Sequence, residues 1–139
     1  TLAPLLKAGD IVAFRGDLGA GKSTFARALI RRLCGADTEV PSPTFTLVQT
    51  YEAPAFEIWH MDLYRLEDPE EALELDLEDA FHDALSLIEW PDRLGGYLPA
   101  RRLDIHLSYG DGDGLRVVEL SGGEDWARRL AGHLPRKGA

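Results

Sequence analysis

Apolar and polar positions change their spacing several times along the chain, and those changes divide it into elements. Ile11-Val12-Ala13-Phe14 is an unbroken apolar run that predicts a short buried strand over Ile11–Arg15. Phe25-Ala26-Arg27-Ala28-Leu29-Ile30 then takes up helical spacing, predicting a helix to about Leu33 that Gly35-Ala36-Asp37 ends. Two prolines bracket Ser42 in Val40-Pro41-Ser42-Pro43, so that stretch cannot be helical. Thr44–Tyr51 and Phe56–Tyr64 are β-branched and aromatic, and Glu52-Ala53-Pro54-Ala55 turns between them, which predicts two antiparallel strands. Asp68 and Pro69 suit an N-cap and a first helical position, and Leu73, Leu77, Ala80 and Phe81 share one face of the helix expected to follow. Ala84–Ile88 reads as another buried strand, ending in Glu89-Trp90-Pro91.

The remaining pattern is a second hairpin and a last helix. Leu103, Ile105 and Leu107 alternate with polar residues, as do Leu115, Val117 and, after a slip, Leu120; Gly110–Gly114 joins the two runs. A helix is expected from about Glu124 to His133, and a short helical remnant over Leu2–Lys7 before the first strand. The expected architecture is α/β, one domain over residues 1–139, with a mixed, mainly parallel sheet plus antiparallel hairpins.

Composition narrows the classes. Hydrophobic content of 45% and charged content of 28% are ordinary for a globular chain, and no apolar run approaches the length of a membrane span. No signal peptide opens the sequence, and a lone Cys34 excludes an internal disulfide framework, so a cytoplasmic location is expected. Cys34 reads as a small residue of the core. A net charge of −9 argues against direct grip on a phosphodiester backbone, so any link to nucleic acid is expected to run through a partner protein. Glu67–Asp83 carries nine carboxylates and neither Lys nor Arg, which is either a solvated helix face or a docking surface for a basic partner.

The candidate chemistry begins between the first strand and the first helix. Gly16-Asp17-Leu18-Gly19-Ala20-Gly21-Lys22-Ser23 matches the phosphate-loop pattern G-x-x-x-x-G-K-[ST] at every fixed position. Glycines there let backbone N–H groups turn inward around phosphate oxygens, and the helix start adds partial positive charge. Asp17 to Ser23, with Thr24, are therefore the candidate nucleotide-binding residues, and a P-loop NTPase fold is expected. Lys22 would reach the β- and γ-phosphates, and the Ser23 hydroxyl would hold Mg²⁺. Lys7, Lys22 and Lys137 are the only lysines against twelve arginines, which sets Lys22 apart from general surface charge.

Such a loop needs a carboxylate at a neighbouring strand end, to hold the Mg²⁺ shell or orient an attacking water. Glu89 ends Ser86-Leu87-Ile88 and Asp62 ends Ile58-Trp59-His60-Met61, so each is a candidate. Thr44 lies where a switch threonine would contact Mg²⁺ or the γ-phosphate, and equally reads as a plain strand residue. Trp90 suits core packing or support of Glu89. His60 has no second His or Cys to complete a metal set and reads as structural.

Four motifs in register resemble a known family: G-D-L-G-A-G-K-S-T at Gly16–Thr24, S-P-T-F-T-L at Ser42–Leu47, H-M-D-L-Y-R at His60–Arg65 and I-E-W-P at Ile88–Pro91. Their order and spacing are similar to the TsaE (YjeE) family, the bacterial ATPase of tRNA threonylcarbamoyladenosine biosynthesis. The resemblance implies a slow ATPase, using ATP and Mg²⁺, that works with TsaD and TsaB and meets tRNA only through that complex. The modification so formed is on adenosine 37 of tRNAs reading ANN codons. By the family's pattern Lys22 binds phosphate, Ser23 and Glu89 bind Mg²⁺, and Asp62, Thr44 and Trp90 match positions implicated in hydrolysis or its coupling. Two features depart from that pattern: the amino-terminal helix is shortened, and Ser23 stands where threonine is more usual.

The competing reading is a small-molecule or nucleotide kinase on the same loop. It requires an acceptor pocket and an Arg-bearing lid, for which Arg101-Arg102 is the only tempting cluster, and that pair opens a strand. A GTPase is disfavoured because the chain has no asparagine and no T-K-x-D guanine-reading motif. No arginine stands out as an internal finger, which predicts slow hydrolysis by the isolated protein.

Overall fold

A computed structural model describes residues 5–16, 22–40, 48–64, 66–71, 77–99, 101–109 and 116–130. The elements in chain order are β1 (Ile11–Gly16), α1 (Lys22–Cys34), β2 (Val48–Glu52), β3 (Glu57–Asp62), α2 (Leu77–Asp83), β4 (Ala84–Glu89), a 3₁₀ segment (Pro91–Tyr97), β5 (Leu103–Tyr109), β6 (Arg116–Gly122) and α3 (Glu124–Leu130).

The strands form one six-stranded sheet in the order β2-β3-β4-β1-β5-β6. The three central pairings, β3 with β4, β4 with β1 and β1 with β5, are parallel. The outer pairings, β2 with β3 and β5 with β6, are antiparallel. This is the mixed, mainly parallel sheet that the hydrophobic pattern implied. It follows from the strand compositions: β1 and β4 are apolar on both faces because both are covered, and the outer strands alternate.

Alternation along the central strands splits the core into two layers. Val12, Phe14, Ile58, Leu85, Leu87, Leu103 and Ile105 pack towards Ala26, Leu29 and Ile30 of α1 and Trp126 of α3. Ile11, Met61 and Ile88 face the other way, onto Leu77, Ala80 and Phe81 of α2 and Leu94 of the 3₁₀ segment. Helix α1 stops at Gly35, whose φ of 128° is open to glycine and whose N–H closes on the Arg31 carbonyl at 2.9 Å.

Several expectations shift in detail. Asp68 does accept the Glu70 N–H at 3.0 Å, but the turn it caps is 3₁₀ over residues 69–71, and α2 is described from Leu77. No slip interrupts β6: Leu120 opposes Ile105 and Val118 opposes Leu107, so Val117 falls opposite Ser108 instead. The 3₁₀ segment went unforeseen, because Pro91 starts a turn whose merit lies in burying Leu94 against strands distant in sequence. Residues 2–4 of the remnant before β1 and the whole Gly110–Gly114 connection lie outside the described residues.

Candidate active site

The parallel register brings the two carboxylate candidates together. Asp62 and Glu89 are direct partners at the carboxyl ends of β3 and β4, and Glu89 is in turn the partner of Phe14 on β1. Two residues after Phe14, β1 ends at Gly16, the first glycine of the phosphate-loop pattern. Both acids share the α1 side of the sheet with Ile58 and Leu87, and both are buried. In a parallel α/β sheet, crevices that bind ligands lie off the carboxyl ends of the strands, and that is where this pair stands.

Gly16 shows why the loop begins with glycine. Its φ is 135°, and it lies opposite Leu107 of β5. A Cβ there would stand 1.9 Å from the Leu107 carbonyl oxygen, so no side chain fits without displacing β5 backbone. Residues 17–21 lie outside the described residues; Lys22 and Ser23 occupy the first turn of α1, and Thr24 is exposed on it. Thr44 also lies outside the described residues.

Each acid is oriented by a different contact. The Asp62 carboxylate accepts the Tyr64 backbone N–H at 3.1 Å, a local turn that fixes its side chain just beyond the strand. The β3–β4 ladder continues past the strand ends, where the Leu63 N–H donates to the Glu89 carbonyl at 3.1 Å. The Glu89 carboxylate lies 2.7 Å from Nε2 of His60, and both side chains are almost wholly buried. His60 Nδ1 is buried and has no hydrogen-bond partner among the described residues. A proton on Nδ1 would therefore be left without an acceptor, at a cost of about 1–3 kcal/mol. The network thus assigns the proton to Nε2, which donates to Glu89.

Trp90 follows Glu89 in the left-handed region, at φ 59° and ψ 52°, the only non-glycine residue with positive φ among those described. That conformation costs an L-residue about 1–2 kcal/mol. It ends β4 abruptly and starts the 3₁₀ segment, whose first turn closes with the Arg93 N–H on the Trp90 carbonyl at 3.1 Å. The indole, half-buried, meets the exposed Tyr64 ring with centroids 5.0 Å apart. Tyr64 thus follows Asp62 by two residues and Trp90 follows Glu89 by one, and the Trp90 indole packs against the α2-side layer of the core.

The sequence singled out Asp62, Glu89 and Trp90 and read His60, on the strand face of Asp62, as structural; the contacts of His60 with Glu89 and of Tyr64 with Trp90 are added by the structure. Nothing local announced that β3 and β4 are neighbours in register, which is what aims His60 at Glu89. The contact of Tyr64 with Trp90 depends on the same pairing. Cys34 is as expected, half-buried at the core margin, with its thiol pushed up by burial, away from nucleophile chemistry.

The Arg101-Arg102 pair precedes β5. Arg101 donates to the Gly9 carbonyl at 3.0 Å, and Arg102 to the Pro99 carbonyl at 2.8 Å and Asp104 at 3.1 Å. Both stand at the amino end of β5, which runs parallel to β1, and Arg102 shares the Asp104 carboxylate with Arg15.

Fold and site together define an α/β protein with a mixed sheet and two acids paired at the carboxyl ends of adjacent parallel strands. The family model described as "Threonylcarbamoyl adenosine biosynthesis protein TsaE" matches residues 1–117. The chain belongs to the TsaE family. It is 47% identical over 111 residues to the tRNA threonylcarbamoyladenosine biosynthesis protein TsaE of Rickettsia bellii, covering 80% of this chain and 77% of that one. It is 40% identical over 104 residues to the Bacillus subtilis protein of the same name, covering 74% of this chain and 64% of that one. Against the crystal structure of YdiB from Bacillus subtilis the TM-score is 0.73 at 30% identity, over 92% of this chain and 78% of the other. Among the described residues, no helix is long and apolar enough to cross a membrane.

Proposed function

We propose that this protein is a P-loop ATPase that binds ATP with Mg²⁺ and hydrolyses it slowly by itself. Its cycle serves the complex in which TsaD and TsaB form threonylcarbamoyladenosine in tRNA, in the cytoplasm, without gripping tRNA directly. The observation that carries this reading is the register of Asp62 against Glu89, with Glu89 against the strand that runs into the glycine pattern.

The donor chemistry fits Mg²⁺. Glu89 and Asp62 offer hard carboxylate oxygens at adjacent strand ends, and Ser23 stands in the first turn of α1. Among the described residues no group of three or more His, Cys, Asp or Glu side chains converges as a metal cage. Mg²⁺ is commonly held by one or two carboxylates together with phosphates and waters, so no cage is required. When bound, the ion would supply positive charge that neutralises charge developing on the phosphates. The chain's own residues have separate tasks. Backbone N–H groups of 17–21 and Lys22 bind phosphate, Ser23 and Glu89 are the metal ligands, and Asp62 orients the attacking water. Thr44 senses the γ-phosphate, and Trp90 with Tyr64 carries the state of the site to a docked partner.

The kinase alternative loses support from Arg101 and Arg102, which are engaged at the amino end of β5 rather than placed to cover a transferred phosphate. The deciding measurement is ATP turnover by the protein alone and with TsaD–TsaB. Slow release of inorganic phosphate alone, accelerated by the partners, is expected. Full turnover alone with a phosphorylated small molecule as product would overturn the reading.

A further inference from the structure

Resting on the reading of Glu89 as a metal ligand, we infer that His60 is a positioning residue that sets the geometry in which Glu89 meets the Mg²⁺ shell. His60 stands on β3 two residues before Asp62, and its Nε2 lies 2.7 Å from Glu89 Oε2 across the strand pair. The imidazole is 1% exposed and the Glu89 side chain 3%, so water does not compete for the bond.

A glutamate reaches its ligand through three rotatable bonds, and an undirected carboxylate samples many positions. His60 removes that freedom with a ring packed in the sheet, whose Nε2 proton points at one carboxylate oxygen only. With Oε2 held in this bond, Glu89 would present its carboxylate to Mg²⁺ from a fixed position. The bond is not needed to hold the strands together. Their pairing already runs without interruption from Glu57 opposite Ala84 to Asp62 opposite Glu89. The unpartnered Nδ1 points the same way: a histidine kept for packing alone would be replaceable by an apolar residue with no orphaned atom, whereas this one presents Nε2 and leaves Nδ1 without a partner among the described residues.

Two variants separate positioning from packing. His60→Leu keeps comparable bulk and loses the donor, while the amide of His60→Gln reaches the place of Nε2 and keeps it. Calorimetric titration of Mg²⁺ into the protein with a non-hydrolysable ATP analogue should show affinity lowered about 10- to 100-fold in His60→Leu. In His60→Gln it should stay within a few-fold of wild type. Binding of the analogue in excess chelator should be equal in all three, which a general loss of structure would not allow. Nitrogen NMR of labelled histidine in the wild-type protein, with no nucleotide present, should show the His60 proton on Nε2.

Wild-type Mg²⁺ affinity in His60→Leu, or an equal loss in His60→Gln, overturns the inference and leaves the proposed ATPase standing. Should His60→Leu not fold, the Gln variant and the NMR experiment decide, and a proton found on Nδ1 is refutation enough. If the wild-type protein binds the analogue without any dependence on Mg²⁺, the proposed function falls, and this inference with it.

Discussion

Asp10 and Glu89 are both 2% exposed, and the two ends of the sheet treat these buried carboxylates in opposite ways. Asp10 precedes β1 at the amino ends of the parallel strands. It accepts two bonds from the Arg129 guanidinium, at 2.7 and 2.9 Å, and the Lys7 backbone N–H at 2.8 Å. The Arg129 guanidinium carbon itself lies over the Trp126 ring, 3.8 Å from its centroid. That carboxylate is a staple, fixing α3 to the start of β1. Glu89, at the carboxyl ends, meets an imidazole N–H instead of a guanidinium, next to a second acid and the strand that enters the glycine pattern. A charge matched by a fork of guanidinium donors serves stability; a charge held by an imidazole at a strand end is suited to a ligand.

Arg129→Ala tests the stapled end and has the largest expected effect. It leaves Asp10 buried without its countercharge, which should cost about 3 kcal/mol of stability and lower the melting temperature by about 10 °C. ATP turnover measured well below the new midpoint should stay near wild type. A variant that melts like wild type would mean that the staple contributes nothing, and the contrast between the two acids would lose one side.

Glu89→Gln tests the other end. The amide can still accept the His60 N–H, so the melting temperature should change little. Mg²⁺-dependent turnover should fall about 100-fold, equivalent to about 2.7 kcal/mol. Unchanged hydrolysis would transfer the metal role to Asp62, its partner in register.

The smallest expected effect concerns Asp125, the outer partner of Arg129 at 2.7 Å. The hydrogen bond from Arg129 holds this carboxyl below its ordinary value of 3.8. A lowered folded value contributes stability above the unfolded one and loses it as pH falls through the folded value. Asp125→Asn should therefore be slightly less stable than wild type at neutral pH, with the gap closing in thermal melts below pH 4. A loss as large as that of Arg129→Ala would show that the arginine serves Asp125 rather than Asp10.

Much of this molecule was legible locally. The buried strands at Ile11 and Ala84, the helix behind Lys22 and the hairpin around Pro54 all follow from period and turn chemistry, since each depends on residues close in sequence. Asp62 and Glu89 were recognisable as strand-end acids for the same reason. Their adjacency was not, because strand order is a long-range choice made by burying two faces at once. The Asp10–Arg129 staple spans 119 residues and leaves no periodic trace.

The sequence by itself determined the phosphate-loop pattern, the identity of the two acids and the class of fold, because hydrophobic spacing and glycine placement act within a few residues. Only the tertiary structure decided that Gly16 must lack a side chain against Leu107, that Asp62 and Glu89 meet, and that His60 faces Glu89. Those facts arise from the register between strands, which is set by packing the whole sheet between its helices and is written in no single segment.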